Sequence, residues 1–273
     1  MEQPLILLTN DDGITSPGLW AVAEAVAPLG EVLIVAPDRQ WSGAGRAMPH
    51  DTTGRLQEIT QGVNGRHITA YAIDGSPAQV VQHGVLELAP RIPELVISGV
   101  NSGANLSIEV TISGTVGAAL EASAFGIPAI AVSLEMDPRY HLTGNDDANY
   151  TATQAYVQHL AQQLLTFGLP YGVDVLNLNV PADAILETPW RLTRLSRYRY
   201  FDPLPPDRSS DRGRPSYRII EDPTKAEVDS DLWAVLIDRV VSVTPLSLDL
   251  TAQASGYDLV SLLPIAQSSI AAP

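Results

Sequence analysis

The sequence predicts a doubly wound α/β fold: a mostly parallel, Rossmann-like sheet with helices on both faces and a C-terminal hairpin or arm. Two features point to it. Short apolar runs recur as far as about Pro181, and stretches with helical periodicity separate them. The first run is continuously apolar rather than alternating, as a strand buried on both faces requires.

The first run, Leu5 to Leu8, reads as a buried strand. It turns at Asn10-Asp11-Asp12-Gly13 and leads into a helix from Pro17 to about Pro28. Further strands are expected at Val32 to Ala36, Leu95 to Ser98, Ala129 to Ser133 and Val175 to Val180. Helices are expected at Ala78 to Leu88, Thr115 to Phe125 and Asn149 to Phe167. Beyond Pro181 the alternation decays, and Phe201 to Pro215, rich in Pro, Arg and Asp, reads as a long exposed loop or hairpin arm. Arg239 to Leu246 looks like a late strand, followed by a tail. The expected division is a catalytic core over residues 1–185, with residues 186–273 forming an arm, late strand and tail of the same domain.

Composition narrows the function. With 45% hydrophobic and 17% charged residues, the 273-residue chain can bury a sizeable core. Sixteen basic against 31 acidic residues give a formal charge of -15, so a nucleic-acid partner is not expected. A phosphate substrate would need a local positive element, most simply a bound cation. The absence of cysteine excludes disulfides, thiolate catalysis and Cys-ligated metal centres. The start lacks the pattern of a signal peptide and no run is long enough to span a membrane, so a cytoplasmic protein without a membrane partner is expected.

In doubly wound sheets ligands bind beyond the carboxyl ends of the strands. The loop after the first strand carries the adjacent carboxylates Asp11 and Asp12 before Gly13; such a pair suits a hard divalent cation, although the motif taken alone favours an Asx turn capping the next helix. In the second loop, Ser42 and Gly43 lie near Arg39 and Arg46, a pattern that fits phosphate or metal binding or an ordinary surface loop. The third loop, Ser98 to Asn105, offers Asn101 as a neutral oxygen ligand. Ser113-Gly114-Thr115 then opens a helix whose amides could face an anion, with Ser113 or Thr115 as its cap. There is no nucleophile elbow, no P-loop and no zinc-protease motif. The scattered histidines, the pair Asp146-Asp147 and the pair Asp229/Asp231 are read as structural or solvated.

These stretches resemble the SurE family of survival-protein nucleotidases. The resemblance is carried by Leu7 to Gly13, Val35 to Arg39 with Ser42-Gly43, Ser98 to Asn101 with Gly103 and Asn105-Leu106, and Ser113 to Val116, supported by Ser242 to Leu246 and Asp249 to Thr251. It implies hydrolysis of nucleoside 5'-monophosphates with one divalent cation per subunit, magnesium or manganese, through a metal-activated water. Asp11, Asp12, Ser42 and Asn101 fall on the family's metal ligands, with Asp11 and Asp12 as the catalytic pair. Asn10, Ser42, Gly43, Asn105, Ser113, Gly114 and Thr115 fall around the substrate phosphate. It also implies a homodimer or homotetramer built through the C-terminal arm. The rival readings are a non-catalytic nucleotide-binding module, a phosphatase of broader range acting on 3'-nucleotides or polyphosphate, a hydrolase with an aspartate nucleophile, and a scaffold protein.

Overall fold

The computed structural model describes residues 3–137, 148–209, 213 and 215–251. In chain order it contains β1 (Leu5–Thr9), α1 (Pro17–Val26), β2 (Glu31–Pro37), β3 (Leu56–Val63), β4 (Arg66–Ile73), α2 (Pro77–His83), β5 (Leu95–Ser102), α3 (Gly114–Ala124) and β6 (Ala129–Leu134). Then follow α4 (Thr151–Phe167), β7 (Val175–Val180), β8 (Trp190–Leu192), β9 (Phe201–Leu204), β10 (Ser216–Ile219), α5 (Asp231–Leu236) and β11 (Val241–Leu246). Each expected strand and helix forms. The sheet order is β3-β4-β2-β1-β5-β6-β7-β11-β8, parallel from β4 through β7.

The class is therefore the one the sequence predicts, and the topology locates its crevice. Strand β1 lies between β2 and β5, so the chain winds away from it in both directions and the loops after β1 and β5 part at the switch point. Side chains of β1 alternate between two cores, as the strand period demands. Ile6 and Leu8 pack with α1 and α4, while Leu5 and Leu7 pack with α2 and α3. The two faces are thus closed separately, which leaves the strand ends open to a ligand.

Several elements differ from expectation for identifiable reasons. The β3–β4 hairpin was not expected, yet Asn64-Gly65 sits between its strands with φ of 49° and 75°. That is the primed Asn-Gly turn favoured by strand twist. The second expected helix is shorter than expected: α2 ends at His83 and a π-turn covers Gly84–Leu88. Strand β5 runs past Ser98 to Ser102 through an irregularity between Ser98 and Asn101 in its pairing with β6, which carries Asn101 into the sheet edge. At the other edge β11 pairs antiparallel to β7, and β9 and β10 form a separate hairpin within the arm.

One charge reading is corrected. Asp229 is exposed and pairs with Arg194, but Asp231 is fully buried rather than solvated. It accepts hydrogen bonds from the amides of Ser107, Ser196 and Leu232, which replace water around the carboxylate. Asp146 and Asp147 lie outside the described residues. Among the described residues, no helix is long and apolar enough to cross a membrane.

Candidate active site

At the end of β1 the chain must turn without a helix or strand to satisfy its backbone, and Asn10 does this work. Its buried side-chain amide donates to the Gly13 carbonyl at 2.9 Å and accepts from the Gly13 amide at 3.1 Å. Asn10 therefore shapes the turn that presents Asp11 and Asp12.

Asp11 is only 3% exposed. Its Oδ1 accepts from the Thr115 hydroxyl at 2.6 Å, at the first turn of α3. Gly114 makes this approach possible: a Cβ there would lie 2.7 Å from Asp11 Cβ and 2.8 Å from its Oδ2. Burial, with the Asp12 charge beside it, pushes the Asp11 carboxyl up to about 7, against the lowering effect of the Thr115 hydrogen bond. Asp12 is less buried; Oδ1 accepts from Gln40 at 3.1 Å and Oδ2 from the Ser102 amide at 2.9 Å.

These bonds join loops that are far apart in sequence. The Ser42 loop is pinned at both ends, by the Trp41 amide donating to the Asp11 carbonyl at 2.7 Å and the Gly45 amide donating to the Ile112 carbonyl at 2.9 Å. Gly117 lets this loop seat on α3, because a Cβ there would meet Gly45 O at 2.2 Å. Ser42 and Gly43, between the pins, are exposed. The neighbouring arginines are held elsewhere, Arg39 by Asp74 at 2.7 Å and Arg46 by the buried Glu121 at 2.6 Å.

From β5, Asn101 donates through Nδ2 to the Gly103 carbonyl at 2.7 Å, so its remaining amide atom, Oδ1, is the one suited to a cation. Asn105 donates through Nδ2 to Ser133 Oγ at 2.9 Å and to Thr115 Oγ1 at 3.4 Å. Ser113 caps α3, its hydroxyl accepting from the Val116 amide at 3.2 Å. Asp11, Thr115 and Asn105 thus form one hydrogen-bonded chain beside Asp12; Ser42 follows Trp41, whose amide bonds the Asp11 backbone carbonyl, and Asn101 precedes Ser102, whose amide bonds the Asp12 carboxylate.

Residues 6–202 match the family model described as survival protein SurE. The chain belongs to the SurE family. A 5'-nucleotidase SurE from Thermococcus gammatolerans is 42% identical over 262 residues, covering 94% of this chain and 95% of the relative. One from Methanocella arvoryzae is 46% identical over 253 residues, covering 90% of this chain and 93% of the relative. The crystal structure of SurE protein from Aquifex aeolicus superposes with a TM-score of 0.72 at 35% identity, covering 91% of this chain and 95% of that one.

The sequence reading overlooked the residues that hold this SurE site together. Asn105 is gripped from β7: Asn179 accepts from its amide at 2.8 Å, and Asn177 and Asn179 both donate to its carbonyl at 2.9 and 3.0 Å. The signal was present, since two asparagines at alternate positions of a buried strand need partners on one face. Gln40, Trp41, Ser102 and Ser133 were also overlooked, and nothing in their spacing announces these contacts.

Proposed function

We propose that this chain is a metal-dependent phosphomonoesterase that hydrolyses nucleoside 5'-monophosphates to nucleoside and phosphate; its relatives are named as 5'-nucleotidases. The observation that carries the reading is the adjacent pair Asp11 and Asp12, one of them buried, at the switch point of the sheet. Two carboxylates packed together are stabilised by a cation, and the oxygen donors around them suit a hard one. Among the described residues, no three His, Cys, Asp or Glu side chains gather into a metal cluster. By resemblance to the family, the donor set combines the two carboxylates with Ser42 Oγ and Asn101 Oδ1, for one magnesium or manganese ion.

Such an ion supplies charge stabilisation for the phosphoryl oxygens and acidifies a water molecule. The protein groups do the rest. Asp12, held by Gln40 and Ser102, orients the attacking water. The water oxygen bonds to phosphorus as the ester P–O bond breaks, its proton passes to the carboxylate pair, and the leaving oxygen takes a proton from solvent. Asn105, Gly43 and the Ser113–Thr115 turn border the phosphate, with Thr115 also fixing Asp11.

The test is phosphate release from nucleoside 5'- and 3'-monophosphates and p-nitrophenyl phosphate, with EDTA and with magnesium or manganese restored, for wild type and Asp12→Asn. Release from 5'-monophosphates that needs the metal and is abolished by the substitution is expected. Nucleotide binding without release under any metal would leave the binding-module reading in its place.

For assembly, residues 1–185 serve as catalytic core and residues 186–273 as an arm that joins copies of the chain into a dimer or tetramer. The outermost strand β8 supports this reading by exposing Trp190 and Leu192. Light scattering that finds only monomer at working concentration would remove it.

A further inference from the structure

The segment that carries Asn105 is fastened to the rest of the molecule on two sides. One side is the β7 grip by Asn177 and Asn179. The other side is the C-terminal part of the chain. Here Ser107 has φ of 63°, a left-handed conformation that a non-glycine residue adopts only when its surroundings impose it. Its amide donates to Asp231 Oδ2 at 2.7 Å, and its hydroxyl contacts Glu109 Oε2 at 2.8 Å and the Tyr198 carbonyl at 2.6 Å. Glu109 in turn accepts from the Tyr200 amide at 3.2 Å. Leu106 packs beneath this turn with Tyr200, Leu232 and Val235, in a small core separate from those of the sheet.

We propose that Asp231 is a positioning residue: by holding the Ser107 amide it fixes the turn that aims Asn105 at Thr115 and, through Thr115, at Asp11. The inference rests on the nucleotidase reading above. Three features support it. Asp231 is fully buried, its oxygens accept three backbone amides, and two of those amides, from Ser107 and Ser196, lie 124 and 35 residues away in sequence. A buried acid that served only to start α5 would not need the Ser107 bond, since Ser230 already caps that helix by accepting from the Trp233 amide at 3.2 Å. The carboxylate instead joins the arm to the site loop. Catalysis depends steeply on the placement of such groups.

The experiment compares Asp231→Asn with wild type in the full-length protein, on a nucleoside 5'-monophosphate with manganese. Oδ1 accepts two amides and Oδ2 only that of Ser107, so an asparagine that keeps its one oxygen at the Oδ1 position leaves the Ser107 N–H without its partner. The expected result is a kcat lower by about tenfold with KM within about threefold of wild type. Faster hydrogen exchange confined to residues 103–108 and the α5 region should accompany it. Glu109→Gln, at a half-buried position on the same turn, should lower kcat by about threefold and carries the test if Asp231→Asn does not fold. Wild-type kcat and wild-type exchange over 103–108 in a folded Asp231→Asn overturn the proposal. So does an activity loss that merely tracks the folded fraction. If the wild type releases no phosphate, the nucleotidase reading fails by itself, and the exchange measurement alone decides whether Asp231 holds the Asn105 turn.

Discussion

The loops that follow β1 and β2 look alike as sequence, each a polar turn after a buried strand, but the structure treats them oppositely. After β1, Asn10 and Asp11 are buried and their side chains are hydrogen-bonded. After β2, Ser42 and Gly43 are exposed, flanked by the backbone bonds of Trp41 and Gly45 and by the bond from the Gln40 side chain to Asp12. The first loop is a preorganised charge site whose geometry the core enforces. The second is an exposed rim, which the proposed function makes the side where a ligand enters. A substitution in the first should therefore disturb chemistry and packing together, whereas one in the second should change ligand affinity alone.

The largest effect is expected at the buried acid. Asp11→Asn keeps the size of the side chain but removes the charge, and should lower kcat by roughly 10²–10³-fold in a phosphate-release assay. Next comes Gly114→Ala, whose new Cβ would lie 2.7 Å from Asp11 Cβ. Displacing Asp11 should reduce kcat by about 10²-fold and destabilise the fold by about 1–3 kcal/mol, read by kinetics and urea unfolding. A Gly114→Ala protein with normal kcat would show that the tight contact with α3 is irrelevant to catalysis. On the rim, Ser42→Ala should weaken manganese binding by about tenfold while shifting stability by less than about 0.5 kcal/mol. If stability fell as far as in Gly114→Ala, the contrast between the loops would be lost.

The smallest effect concerns the base of the second loop. Asp74 is held near a pKa of about 2 by hydrogen bonds from Thr53, with the Arg39 guanidinium adding to the effect. Because this lies below the ordinary value of 3.8, the stabilisation is fully present above about pH 4 and is lost as pH falls toward 2. Wild type should thus be more stable than Asp74→Asn at neutral pH, with the difference closing through that window in thermal melts. A constant difference down to pH 2 would assign the effect to packing instead.

Much of the fold was legible because continuous apolar runs and their breaks report parallel strands directly, as at Leu5–Leu8 in β1 and Val32–Ala36 in β2. The loops of the candidate site stand out for a related reason: Asp11, Asp12, Asn101 and Asn105 are polar residues placed where an apolar run has just ended. What escaped reading were contacts made across the sheet. The pairing of Asp12 with the Ser102 amide spans 90 residues, and that of Asp231 with the Ser107 amide spans 124. Local spacing cannot encode these, so Asp231 looked like a solvated charge until the arm was folded over it. The β3–β4 hairpin is a different case, since its Asn64-Gly65 turn announced it.

The central claim is that Asp11 and Asp12 together hold one divalent cation. Calorimetric titration of manganese into chelator-stripped protein tests it most directly, with wild type and Asp12→Asn side by side. One ion per chain in wild type, with binding lost or weakened at least roughly tenfold in the variant, is the expected result. Equal binding by both proteins, or no binding by wild type, would contradict the account.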